Sequence, residues 1–174
     1  LLKALSRIQE LPWRLVVIGS GSYEAQFDRL AQDLKLSDRI TRLGYIPHTE
    51  APRYLSALDT LLLPSETQPN WKEQFGRVII EALACKTPVL GSDSGEIPHL
   101  LRATGGGLVF PERQPEALAE RLELLINNPS LRINLAQRGH DVVHNQYTNT
   151  AIAGQFIRCV EQSIQTTCSM KKIA

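Results

Sequence analysis

The chain has 174 residues, 43% hydrophobic and 21% charged, enough to bury the core of one globular domain and too few for two. Its formal net charge is +1 and the basic residues form no block, which excludes the broad electrostatic attraction that non-specific nucleic-acid binding requires. Cys85, Cys159 and Cys168 form no CxxC pair, and His48, His99, His140 and His144 are unclustered, so reduced thiols in a cytosolic protein without a metal cluster are expected.

Residues 1–10 alternate polar and apolar in helical fashion rather than as a signal peptide, and a helix is expected over 1–9. Apolar strand-like runs follow at 15–18, 40–43, 60–63, 88–91 and 107–110, each too short to span a bilayer. Helical periodicity fills 22–35, 50–57, 75–85, 95–103, 114–127, 130–145 and 148–165. Pro115 suits a first helical turn, and Asn127-Asn128-Pro129 reads as a helix stop followed by a restart. Strand-then-helix order repeated in this way predicts a doubly wound α/β domain, a parallel sheet covered on both faces. The chain opens inside a helix without the strand that should feed it, so an N-terminally truncated domain over 1–167 is expected, with a frayed tail at 168–174.

In an open parallel sheet, ligands bind beyond the carboxyl ends of the strands, where loops enter helix N-termini. Two corners qualify. Gly19-Ser20-Gly21 follows the strand LVVI and resembles half of a dinucleotide fingerprint, but Glu24 stands where the third glycine belongs. A tight turn and a phosphate contact both remain open there. The oxidoreductase reading fares worse, since the next strand, ITRL, ends in Gly44-Tyr45 without the acid that a nicotinamide enzyme would place there.

The second corner is residues 64–84, where a polar loop leads through Glu73-Gln74-Phe75-Gly76-Arg77 into an apolar helix carrying Glu81. Amides in the first turn of that helix lack helical partners and can receive a phosphate or a sugar hydroxyl. If both acids were helical, Glu73 and Glu81 would stand about 80° apart around the axis and roughly 12 Å along it, suited to different parts of an extended ligand. As a structural acid, Glu81 would need a partner such as Arg77 at i−4. Trp71 reads as packing or cleft edge, and Asp93 as a turn residue.

The spacing Glu73-x7-Glu81, followed by Ala82-Leu83-Ala84 and Thr87-Pro88-Val89, resembles the signature of the group 1 glycosyltransferases, also called family 4. Further likeness lies in Leu15 to Gly21, Leu43 to His48, Asp59 to Ser65, Gly95 to Pro98 and Gly107 to Pro111, in order along nearly the whole chain. The resemblance implies a Rossmann-like domain, the C-terminal, donor-binding half of a two-domain GT-B fold. It implies a retaining, metal-independent transferase that takes a nucleotide-diphosphate sugar as donor and needs no cofactor, with surface polysaccharide or glycoconjugate synthesis as its setting.

By the same resemblance, Glu81 accepts hydrogen bonds from the ribose, and Glu73, the catalytic residue, lies beside the transferred sugar, where it binds hydroxyls and affects the positive charge developing at the anomeric carbon. Gln74, Phe75, Gly76, Arg77 and Val78 lie against sugar and diphosphate; Gly19, Ser20 and Gly21 line the donor; Tyr45 and Ile46 lie near the base. Gln74 and Lys86 stand where the family more often has glycine. The expected partners are the nucleotide sugar and a missing N-terminal acceptor domain, and the family's basic diphosphate clamp is expected on the strand and loop upstream of residue 1. The isolated chain is expected to be inactive, and its parent cytoplasmic, with a peripheral seat at the inner face of the membrane left open. A non-catalytic nucleotide- or sugar-binding module and a nucleotide-sugar epimerase of the same fold are the alternatives.

Overall fold

The computed structural model describes the backbone of residues 1–171 and the side chains of residues 1–164. Strands and helices alternate in the order α1 (Leu2–Leu5), β1 (Leu15–Ile18), α2 (Glu24–Asp33), β2 (Ile40–Gly44), α3 (Ala51–Leu55), β3 (Leu61–Leu63), α4 (Arg77–Ala84), β4 (Val89–Ser92), α5 (Ile97–Thr104), β5 (Gly107–Phe110), α6 (Pro115–Asn127), α7 (Pro129–Gln146) and α8 (Asn149–Lys171). All strand pairs are parallel, as the repeated strand-then-helix order predicts. The stop and restart at Asn127-Asn128-Pro129 is realised: the Asn128 side chain accepts from the Leu131 N–H at 2.9 Å and Pro129 opens α7. The first helix is shorter than expected: beyond Leu5 the Arg7 and Ile8 amides donate to the Ala4 and Leu5 carbonyls in i→i+3 turns, and the Ile8 carbonyl accepts from the buried indole N–H of Trp13 at 2.9 Å. α8 continues through Lys171, and residues 172–174 of the expected tail lie outside the described residues.

Apolar residues on successive strand positions serve opposite layers. Along β4, Leu90 belongs to a cluster with Leu5, Trp13, Phe110, Leu118 and Leu122, while Val89 joins Leu55, Ile79, Leu83, Ile97 and Leu101 on the other face. Such alternation is what a strand buried on both faces requires, and β4 is buried along its whole length.

The sheet departs from the expected continuous one. β3, β4 and β5 form one piece in that order, and β1 pairs only with β2. Between the pieces lies an open cavity of about 1420 Å³, lined by Leu15–Ile18 of β1, by Leu61–Leu63 of β3 and by Leu1, Leu5, Leu122 and Leu125. Cover on both faces holds for β3–β4–β5 but not for β1–β2, where Val16 and Ile18 are each 36% exposed.

Candidate functional site

The long loop after β3 is pinned to the carboxyl ends of β4 and β5. Ser92 Oγ donates to the Ser65 carbonyl at 2.6 Å, and the Thr67 and Ser94 hydroxyls share a hydrogen bond of 3.0 Å. The Thr67 N–H donates to Glu112, and Arg113 donates to the Thr67 carbonyl at 2.6 Å. At the tip, Gln68 and Trp71 form an antiparallel bridge that leaves Trp71 52% exposed, on the surface rather than in the core. Asp93 accepts from the Glu112 N–H at 2.7 Å, the turn role that its surroundings predict.

This pinned loop delivers Glu73 to the N-terminus of α4. Its carbonyl accepts from the Glu96 N–H and its Oε1 from the Gly76 N–H, both at 3.0 Å. Gly76 is left-handed, with φ 71°, and stands directly before the helix. Glu73 is therefore not helical, and the projection that placed it 80° from Glu81 does not apply. The carboxylate instead folds back onto the helix mouth, where the amides of the first turn and the helix dipole favour negative charge. Gly95, with φ 56°, lies so close beneath that a Cβ there would sit 1.9 Å from the Glu73 carbonyl oxygen.

Glu81 lies one turn into α4. Ile79, Ala82 and Leu83 turn into the core, while Val78 and Glu81, three residues apart, line the cavity with Tyr45, Ile46 and His48. The Glu81 side chain is 33% exposed, with Oε1 3.3 Å from His48 Nε2. Among the described residues its side-chain partner is His48, not Arg77. Cys85 sits one turn further on, where burial pushes its thiol up and the Glu81 charge adds to the effect.

The first corner is organised by its own carboxylate. Glu24 Oε1 accepts from the Gly21 N–H at 2.9 Å, and the same carboxyl pairs with Arg42 at 2.5 Å. The Gly21 hydrogen bond first, then Arg42, hold the Glu24 carboxyl below the usual carboxylate range. The Gly19 N–H donates to the Gly44 carbonyl at 2.7 Å, which ties this turn to the end of β2.

Tyr45, Ile46, Val78 and Glu81 thus share one cavity, and Glu73 and Gly76 share the mouth of α4. Gln74, Phe75 and Arg77 are exposed beside that mouth, with Phe75 51% exposed. Gly19, Ser20 and Gly21 are not among the cavity's lining residues. Two residues absent from the expected site belong to the geometry. His48 carries no local signal, since it meets Glu81 from 33 residues away. Glu24 could have been found, because Gly21-Ser22-Tyr23-Glu24 has the spacing at which a side chain reaches back to cap a helix start.

Comparison with known proteins gives this geometry a family. The family described as glycosyl transferases group 1 matches residues 1–142. A lipopolysaccharide core biosynthesis glycosyltransferase of Rhizobium meliloti is 28% identical, covering 91% of this chain and 44% of that protein. A GDP-mannose-dependent monoacylated alpha-(1-6)-phosphatidylinositol monomannoside mannosyltransferase of Corynebacterium glutamicum is 30% identical, covering 78% of this chain and 35% of that protein. The chain therefore spans less than half the length of either relative. Among solved structures, the C-terminal domain of a glycosyl transferase group 1 family protein from Francisella tularensis superimposes with a TM-score of 0.74 at 26% identity, covering 85% of this chain and 77% of that one. With its parallel α/β layers and with both acids of the signature at α4, the chain belongs to the group 1 glycosyl transferases, as the C-terminal half of a GT-B fold.

Proposed function

We propose that this chain is the donor-binding domain of a retaining glycosyltransferase that moves a sugar from a nucleotide-diphosphate sugar to an acceptor in surface polysaccharide or glycoconjugate synthesis. The observation that carries the reading is the placement of Glu81. It stands amid the apolar residues of α4, keeps 33% of its side chain exposed and faces an open cavity beside Tyr45 and Ile46. A carboxylate so placed accepts from two vicinal hydroxyls, the pattern a ribose presents, through charge-assisted bonds. Tyr45, 79% exposed, offers the nucleobase a ring face.

The diphosphate then meets the N-terminus of α4, where the amides of Arg77 and Val78 and the helix dipole stabilise the charge that develops on the leaving group, without a metal. Gln74, Phe75 and Gly76 lie against the sugar. Gly19 and Ser20 border the donor from the first corner, where Gly21 has given its N–H to Glu24. With Oε1 of Glu73 engaged by Gly76, Oε2 remains for the hydroxyls of the transferred sugar and for the positive charge that grows at its anomeric carbon. The acceptor site belongs to a further domain of the same protein. The basic diphosphate clamp lies instead on a strand and loop of the donor domain itself, upstream of residue 1, and that strand fills the apolar slot between β1 and β3.

Isothermal titration calorimetry of the 174-residue chain with UDP, GDP and ADP tests the reading. Binding of at least one is expected, weakened about tenfold or more by Glu81→Ala, the scale of one lost charge-assisted hydrogen bond. Equal binding by the native chain and the variant refutes it. Sugar transfer to an acceptor by the parent protein separates a transferase from a binding module or an epimerase.

A further inference from the structure

We infer that His48 is the residue that orients Glu81 for the nucleotide ribose, an inference that rests on the donor reading above and deepens it. His48 begins the single 3₁₀ turn His48–Glu50 that follows β2, so its placement comes from a different part of the chain than that of Glu81. The two side chains meet across the cavity mouth at 3.3 Å, and His48 is the one side-chain hydrogen-bond partner that Glu81 has among the described residues.

The geometry assigns each oxygen a task. A glutamate on a helix turns freely about its terminal torsion unless something holds one oxygen. With Nε2–H of His48 donating to Oε1, the carboxylate plane is fixed and Oε2 is left to accept from the ribose. Arg77, one turn earlier on the same helix, makes no ion pair with Glu81 and does not hold it. His48 is itself 77% exposed, so its replacement leaves no hole in the core. It is a positioning residue: it acts on the ligand through Glu81.

The test uses nucleotides that differ only in the ribose. The native chain, His48→Ala, His48→Gln, Glu81→Ala and the double variant His48→Ala/Glu81→Ala are titrated with whichever of UDP, GDP and ADP binds tightest, and with its 2′-deoxy form. His48→Ala is expected to weaken the ribonucleotide about 3- to 10-fold, the scale of one hydrogen bond, and the deoxynucleotide, which keeps only one of the two hydroxyls, by a clearly smaller factor. His48→Gln, which keeps an N–H donor, restores most of the loss, and His48→Ala adds nothing once Glu81 is gone. Equal weakening of both nucleotides by His48→Ala, an undiminished effect in the double variant, or no effect at all overturns the role. If Glu81→Ala weakens binding and His48→Ala does not, only this inference falls. If Glu81→Ala binds as the native chain does, or no nucleotide binds, the donor reading falls and takes the inference with it.

Discussion

Replacing Gly95 with alanine should separate two costs that glycine avoids here. The residue has φ 56°, so any L side chain adopts the left-handed region at about 1–2 kcal/mol. The new Cβ would lie 1.9 Å from the Glu73 carbonyl oxygen, 2.9 Å from its carbon and 3.0 Å from its nitrogen. Neither side of this contact can rotate away, because a Cβ has no torsion of its own and the opposing atoms are backbone. The Glu73 segment must withdraw by about 1 Å, since close-packed interiors do not absorb such an overlap. That withdrawal breaks the bond from the Glu96 N–H to the Glu73 carbonyl, worth a further ~1 kcal/mol. Gly95→Ala should therefore cost about 2–3 kcal/mol.

Gly105→Ala supplies the control. Its φ is 62°, but the nearest atom to an added Cβ is Arg138 Cβ at 4.0 Å, so only the left-handed strain of about 1–2 kcal/mol applies. Urea unfolding followed by circular dichroism reads both variants, and the midpoint of Gly95→Ala should fall further by about 0.5 M, given slopes of ~2 kcal/mol/M for chains of this size. Losses that agree within ~0.5 kcal/mol would show that the Glu73 carbonyl does not press on Gly95, and the account of how the loop positions the first acid would fail.

Three further outcomes are expected. Lys86 is left-handed with φ 57° and exposed, so Lys86→Gly should raise stability by about 0.5–1 kcal/mol, read as an increase in Tm, and a decrease contradicts the strain argument. Burial, with Glu81 adding to it, raises the Cys85 thiol, so peptide-resolved alkylation at pH 8 should label Cys85 about tenfold or more slowly than the exposed Cys159, and Glu81→Gln should narrow the gap. The Glu24 carboxyl is depressed by the Gly21 N–H and then by Arg42, so whatever it contributes to stability is present above its ordinary value of 4.5 and lost as pH falls through the lowered one. A carbon NMR titration should find its midpoint below 4.5 and find it raised, though not fully restored, by Arg42→Ala.

The parts of the fold legible in the sequence are those decided by local pattern. The strands at 15–18 and 107–110 sit where their apolar runs place them, and the α6–α7 junction follows from Asn128 and Pro129. The break between β1 and β3 was not legible in the same way, since strand pairing depends on which neighbour is present across the gap rather than on either strand's own residues. Lys86 occupies a left-handed turn although lysine is a poor choice there, and nothing in its residue type signals that conformation. The site divides similarly: α4 and its Glu81 follow from periodicity, whereas the meeting of Glu81 with His48 is a tertiary contact that periodicity cannot encode.

The presence of two acids around one apolar helix has a physical answer in the way that helix starts. Were α4 continuous back to Glu73, both carboxylates would be fixed by a single helical screw, and their separation could not be tuned to a ligand. The left-handed Gly76 interrupts the screw, so Glu73 is positioned by the pinned loop and by Gly95, and Glu81 by the packing of Ile79, Ala82 and Leu83. Each acid thereby rests on its own support, one set by backbone hydrogen bonds and the other by core burial. Perturbing the Gly95 contact should shift Glu73 and leave the Glu81 side of the cavity intact, so nucleotide affinity in Gly95→Ala should change far less than in Glu81→Ala, as measured by the same calorimetry. A loss in Gly95→Ala as large as in Glu81→Ala would mean that the two acids move as one body and that the interruption at Gly76 does not uncouple them.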